Sequence, residues 1–232
     1  SAILRQFPYS HRKAKTSGQF SSLLHGYMVY QSALRKIGAH RLEVDLCARI
    51  LRKRLQERPF GQFELQLLDH HQCHAESAYR TQERDRCLVV TMDAMGDGLS
   101  ATTWKGHDGH LQQLWQQSGL SSMSLFYSRI TEILGFTPLR HEGKITGLAA
   151  LAQPPQELVK HFQSQVSFNK GRFSRVPLSP ARKDDAFWNR CLDFEPAKVA
   201  AAAQLVLEQN MCAYVEYWVQ QSGLKNVVVA GG

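Results

Sequence analysis

No apolar run in the sequence approaches the roughly 18 residues that cross a bilayer, and the N-terminal segment lacks the apolar core of a signal peptide. A membrane span is therefore excluded and a soluble, cytoplasmic protein is expected. No internal repeat or low-complexity tract interrupts the chain. There is no Cys-x-x-Cys pair: Cys47, Cys73, Cys87, Cys191 and Cys212 are odd in number and widely spaced. That pattern argues against a disulfide framework and against a zinc ribbon, and the thiols are expected to be reduced and mostly buried. Acidic residues are in deficit, 20 against 28 Lys and Arg, for a formal net charge of +8. Such a balance favours anionic partners such as nucleotides, phosphorylated substrates or nucleic acid. Because the excess is spread along the chain, a solvated basic surface accounts for it equally well.

What is present is a chain of 232 residues, 43% hydrophobic and 21% charged, long enough to bury a full core as one large domain or two modest lobes. The first eighteen residues are basic and polar, with Arg12, Lys13 and Lys15 clustered, and show no periodicity. Helical spacing predicts one helix from Phe20 to Ile37 and a second from Leu42 to Gln56, the latter with Leu42, Leu46, Ile50 and Leu51 inward. Phe63 to Leu67 alternates like a half-buried strand. A β-meander is expected from Cys87–Met92, Leu99–Trp104 and Leu111–Trp115, separated by Gly-rich turns. Helices are expected over Ser124–Leu134, Glu142–Leu151, Pro154–Phe162 and Pro196–Gln221, with a hairpin turn at Asn169-Lys170-Gly171 and a loop over Ser174–Asp185. Asn226 to Ala230 reads as a buried strand entering the Gly231-Gly232 turn, an ending that marks the chain as a piece of a longer protein.

Chemistry concentrates in Asp69-His70-His71-Gln72-Cys73-His74. On a helix, His70 and His74 share a face one turn apart and can grip one metal ion; His71 and His74, at i and i+3, are the competing pair. Asp93, at the end of the Cys87–Met92 strand, would complete a two-His-one-carboxylate set, which suits iron, manganese or zinc better than calcium or magnesium and leaves positions open for substrate. The turn with Gly96, Asp97 and Gly98 offers backbone N–H groups to phosphate, or is simply a tight hairpin turn. Glu142-Gly143-Lys144 opens a helix, where the dipole and Lys144 attract anions. Together with Gly231 and Gly232 these form the candidate nucleotide- and phosphate-binding set. Cys73 reads as packing, and Tyr127 and Arg129 stay unassigned.

These blocks carry a resemblance. His70-His-x-x-His74-Ala-x-Ser-Ala-Tyr79, Asp93-x-x-Gly-Asp-Gly98, Ser124-Leu-Phe-Tyr127, Leu134-Gly-Phe136, Glu142-Gly-Lys-x-x-Gly-Leu-Ala-Ala150 and Val229-Ala-Gly-Gly232 follow the order of the nodulation-protein U and antibiotic O-carbamoyltransferase family. The match runs from about Leu67 onward, with a variable middle from Gln153 to Pro196. It implies an α/β, two-lobed fold of the actin, sugar-kinase and heat-shock-ATPase (ASKHA) type, similar to the tRNA threonylcarbamoyl-transferring proteins. Here it would be incomplete at both ends, with residues 1–84 the remainder of the first lobe and 85–232 the second. It further implies an enzyme that makes carbamoyl adenylate from carbamoyl phosphate and ATP in an attached YrdC-like domain and passes the carbamoyl group to a small-molecule hydroxyl.

By the same resemblance a divalent metal, Fe(II) in type, is held by residues matching His70, His74 and Asp93, with a further aspartate beyond Gly232. Without the missing parts the fragment is expected to be inactive. Nucleic acid is not the expected partner, and the oligomeric state is left open. Two other readings stand beside this one: a tRNA-adenosine modification protein, and a non-catalytic binding protein that kept the fold. The chain departs from the family pattern at Ala94, where glycine is common, and at Leu151-Ala-Gln153, where Tyr-Gly is common.

Overall fold

A computed structural model describes residues 17–59, 61–174, 176 and 182–232. The basic cluster at Arg12, Lys13 and Lys15 lies outside them. In chain order the elements are α1 (Ser17–Lys36), α2 (His40–Gln56), α3 (His70–Arg80), β1 (Cys87–Gly96), β2 (Leu99–His107) and β3 (His110–Ser118). Then come α4 (Met123–Ile133), α5 (Glu142–Ala149), α6 (Gln156–Gln163), the short hairpin β4 (Phe168–Asn169) and β5 (Arg172–Phe173), α7 (Arg182–Asn189), α8 (Pro196–Ser222) and β6 (Val227–Ala230).

The main sheet is mixed and four-stranded, in the order β3-β2-β1-β6. β1, β2 and β3 form the expected antiparallel meander, and β6 runs parallel to β1 with Leu88 opposite Val227 and Thr91 opposite Ala230. β1 is central and covered on both faces, which is why it reads as an unbroken apolar run. Its even-numbered residues Leu88, Val90 and Met92 join the larger core with Phe126 and Ile130 of α4, Phe162 of α6 and Val206 and Tyr214 of α8. Its odd-numbered residues Cys87 and Val89 pack with Trp104 of β2 against Ala75 and Tyr79 of α3. The His-rich helix therefore lies directly on the sheet.

Several expectations are corrected. β1 runs four residues past Met92, so Asp93 sits inside the strand, where the register with β2 shifts between Met92 and Gly96. Residues 63–67 form no strand; Phe63 and Leu67 are exposed, because alternation makes a ladder only where a neighbouring strand offers an edge. α2 has no buried residue, and Leu42, Leu46, Ile50 and Leu51 are exposed. Periodicity states which side chains share a face, not whether another element meets that face. Of the positions expected inward in the first helix, Met28 is buried and Ile37 exposed. The segment expected as a loop over 174–185 becomes helical at Arg182, with the buried Trp188 as its anchor; part of that segment lies outside the described residues. Only Cys87 and Cys191 of the five cysteines are buried; Cys73, expected to pack, is exposed with Cys47 and Cys212.

Candidate metal centre

α3 begins at Asp69, whose extended backbone and side chain cap the helix: Oδ1 accepts the amide N–H groups of His71 at 3.0 Å and Gln72 at 3.2 Å. The other carboxylate oxygen accepts from Arg35 Nη1 at 2.7 Å. Burial alone would push the Asp69 carboxyl up, but the hydrogen bond and charge of Arg35 outweigh it and hold it below the ordinary 3.8.

From this start the three histidines diverge. His70 Nε2 lies 2.8 Å from Asp93 Oδ2, His74 Nε2 lies 3.3 Å from the same oxygen, and the two Nε2 atoms are 3.2 Å apart. His71 turns into the sheet and is fully buried. Its Nε2 is 3.1 Å from the carbonyl oxygen of Leu99 and its Nδ1 2.8 Å from Thr91 Oγ1. A carbonyl only accepts, so Nε2 carries the proton and Nδ1 accepts. The order then propagates: the Trp104 indole N–H donates to Thr102 Oγ1 at 2.6 Å, Thr102 donates to Thr91 at 2.6 Å, and Thr91 donates to His71. Burial lowers the His71 pKa and keeps the ring neutral. The competing pair, His71 with His74, is thus ruled out as a shared ligand face.

Asp93 is fixed from several sides. Its Oδ1 accepts the Ala94 amide at 2.6 Å, and its main-chain oxygen accepts from Ser122 Oγ at 3.2 Å, the residue that also caps α4. Burial would raise its pKa, but hydrogen bonds from His70, the Ala94 amide and His74 outweigh that and hold it below the ordinary value. The donor set fits a transition metal by type, two imidazole nitrogens and one carboxylate. It also fits by spacing: ligand atoms about 2.1 Å from an ion and at right angles stand about 3.0 Å apart, within the range of the three separations here. A second group, Asp85, His107 and Asp108, is a hairpin anchor instead. Asp85 there already accepts from Tyr79 Oη and the Asp108 and Gly109 amides.

Beside Asp93 opens a cavity of about 540 Å³. Gly231 and Gly232 form part of its wall, as do Tyr127, Ser128, Glu142 and Leu207. Gly231 has φ 111°, and a Cβ there would stand 1.8 Å from the carbonyl oxygen of Met92, so only glycine lets the backbone pass so close to the residue before Asp93. The other candidate phosphate positions are not in this wall. Lys144 projects from the exposed side of α5 with its ammonium 5.6 Å from the Phe136 ring centroid. Gly96, Asp97 and Gly98 lie behind His70, toward α1.

Tyr127, unassigned from sequence, lines the cavity; its hydroxyl donates to Gln204 Oε1 at 2.6 Å, and burial pushes its pKa up. Glu142 accepts from Ser128 Oγ at 2.7 Å and from the Leu139 amide at 2.6 Å. The legible signal was the polar set Ser124, Tyr127 and Ser128, which share one face of α4 at helical spacing.

The mixed α/β fold thus brings two helix-borne histidines and a strand-borne aspartate together beside a cavity. The chain belongs to the carbamoyltransferase N-terminus family, whose model matches residues 8–232. It is 33% identical over 169 residues to an uncharacterised Methanocaldococcus jannaschii protein, MJ1051, covering 70% of this chain and 33% of that protein. Nodulation protein NolO of Bradyrhizobium diazoefficiens is 27% identical over 175 residues, covering 71% of this chain and 31% of NolO. Nodulation protein NolNO of Sinorhizobium fredii is 23% identical over 205 residues, covering 82% of this chain and 29% of NolNO. The chain thus spans about a third or less of the length of the relatives it matches. Among the described residues no helix is long and apolar enough to cross a membrane.

Proposed function

We propose that the chain supplies the metal- and nucleotide-binding part of an O-carbamoyltransferase, within an ASKHA-type domain of two lobes divided near residue 84. The observation that carries this is the convergence of His70, His74 and Asp93 on one point beside the cavity, in a chain of the carbamoyltransferase family. His70 Nε2, His74 Nε2 and Asp93 Oδ2 would hold a divalent ion, Fe(II) in type. Such an ion, with open positions, supplies a Lewis acid that stabilises charge on transferring oxygens.

The cavity would take the adenylate. Its largely apolar wall excludes water from an activated donor, while Gly231 and Gly232 let backbone approach the ligand closely. In the overall transfer the acceptor hydroxyl oxygen bonds to the carbamoyl carbon, the bond from that carbon to the phosphate oxygen breaks, and AMP leaves with the electron pair. The hydroxyl proton is released. Carbamoyl phosphate and ATP, with a YrdC-like domain elsewhere in the protein, would provide the donor; the acceptor is a small hydroxyl compound, as for an antibiotic or nodulation factor.

The test is elemental analysis and product mass spectrometry on the full-length protein with carbamoyl phosphate, ATP and candidate hydroxyl compounds. His74→Ala and Asp93→Ala are each expected to lose most of the bound metal and the carbamoylated product. Stoichiometric metal in both variants would remove the reading. The net charge of +8 favours a second reading, carbamoylation of a tRNA adenosine. Tight, salt-dependent tRNA binding would put that first. Full-length protein free of both metal and nucleotide would instead point to a non-catalytic binding protein.

A further inference from the structure

The turn between β1 and β2 has the composition of a phosphate loop, yet its three residues are spent on neighbouring helices. Gly96 abuts the imidazole of His70: a Cβ there would stand 2.0 Å from ring atom Cδ2 and 2.3 Å from Cγ. Asp97 is held at φ 50°, in the left-handed region, and its Oδ2 accepts the His70 amide N–H at 2.8 Å. Gly98, at φ 79°, passes so close to α1 that a Cβ would lie 2.7 Å from the carbonyl oxygen of Gln31. Its own oxygen accepts the Gly119 amide at 2.9 Å.

Resting on the reading of His70 as a metal ligand, we propose that Gly96-Asp97-Gly98 is a clamp that positions His70, and that Asp97 acts through the helix terminus rather than on phosphate. His70 is the first residue of α3, where amide groups lack partners within the helix and the end frays. Asp69 satisfies His71 and Gln72 but not His70. Asp97 fills that gap, and the missing side chain of Gly96 leaves a slot in which the half-exposed ring is confined. Backbone and ring are thereby fixed from the end of β1 and the turn after it, with Asp93 three residues before Gly96 on the same strand, so ligand and ligand support move as one body.

The experiment uses metal-free full-length protein titrated with Co²⁺ and read by visible absorption, together with amide hydrogen exchange at His70 without metal. Asp97→Gly is the informative variant, because glycine is at home at φ 50° and the turn keeps its path while the carboxylate acceptor is lost. It is expected to weaken Co²⁺ binding about tenfold or more and to speed exchange at His70 while His71 stays protected. Gly96→Ala, whose methyl occupies the ring slot, should weaken binding to a similar degree. Asp97→Asn, which keeps an acceptor, should stay within about threefold of wild type. Asp108→Gly, a change at a second left-handed turn residue (φ 51°) remote from His70, should leave both readouts unchanged.

Wild-type Co²⁺ affinity in Asp97→Gly would overturn the clamp as a support of the metal site. Unchanged His70 exchange would overturn it altogether. If wild type itself takes up no Co²⁺, the metal reading fails on its own account and His70 exchange alone decides the clamp.

Discussion

His71 stands one residue after His70 and three before His74, and that offset on the helix separates a ring buried in the sheet from the two rings that face Asp93. The i, i+4 relation of His70 and His74 was legible because helix geometry alone puts them on one face. The fate of His71 was not, since it depends on which strand residues stand opposite. Thr91 and Thr102 look like ordinary β-formers in sequence; in the fold they complete a directional chain from Trp104 to His71. Thr91→Val keeps the shape but leaves His71 Nδ1 without its donor and the Thr102 hydroxyl without its acceptor. Each buried orphan costs about 1–3 kcal/mol, so urea unfolding is expected to show a loss of roughly 3 kcal/mol. A loss below about 0.5 kcal/mol, the size usual for surface changes, would mean that the chain of hydrogen bonds is not held in solution. By the same logic of neighbours, the Cys191 thiol, pushed up to about 12 by burial, stays protonated while Cys73 stands in solvent.

Among the elements, those closed by local signals are legible in the sequence and those decided by distant contacts are not. α8 announces itself with Pro196 at its first turn and Gly223 just past its end, at φ 68°. Its alanines at 200, 202 and 203 have no exposed surface, so other elements approach this segment at backbone distance. α2 also carries an apolar stripe at helical spacing, Leu42, Leu46 and Ile50, yet these are 71%, 58% and 55% exposed. α2 is the more heavily charged of the two helices, but the spacing of its apolar residues does not show that they stay open, because burial belongs to the pair and not to the helix alone. Two substitutions separate them. Ala202→Leu adds volume to a filled site and is expected to cost about 1–3 kcal/mol. Leu46→Gln on the open stripe should change stability by no more than about 0.5 kcal/mol. Equal losses in denaturant unfolding would show that α2 is covered in solution.

For the molecule as a whole, the sheet's two faces carry separate cores, and one exposed carboxylate ties the smaller one together. Asp85 accepts the Tyr79 hydroxyl from α3 at 2.7 Å and the amides of Asp108 and Gly109, in the β2–β3 turn, at 2.7 and 3.0 Å. These hydrogen bonds, led by that from Tyr79, depress its pKa well below the ordinary 3.8. A carboxyl with a folded pKa below its unfolded one stabilises the fold fully above the unfolded value and loses that contribution as pH falls toward the folded value. Over the same range most of the 20 acidic side chains lose their charge while 28 Lys and Arg and 10 His carry theirs, so self-repulsion adds to the loss. The stability of wild type is therefore expected to fall steeply below about pH 4, and less steeply when added salt screens the repulsion. Asp85→Ala should be the less stable protein at pH 7, with the gap closing as pH drops through the same range. Urea titrations of both proteins from pH 7 to pH 2.5 at fixed ionic strength read this directly. A gap that persists unchanged at the acid end would assign the effect of Asp85 to packing rather than to its ionised carboxylate.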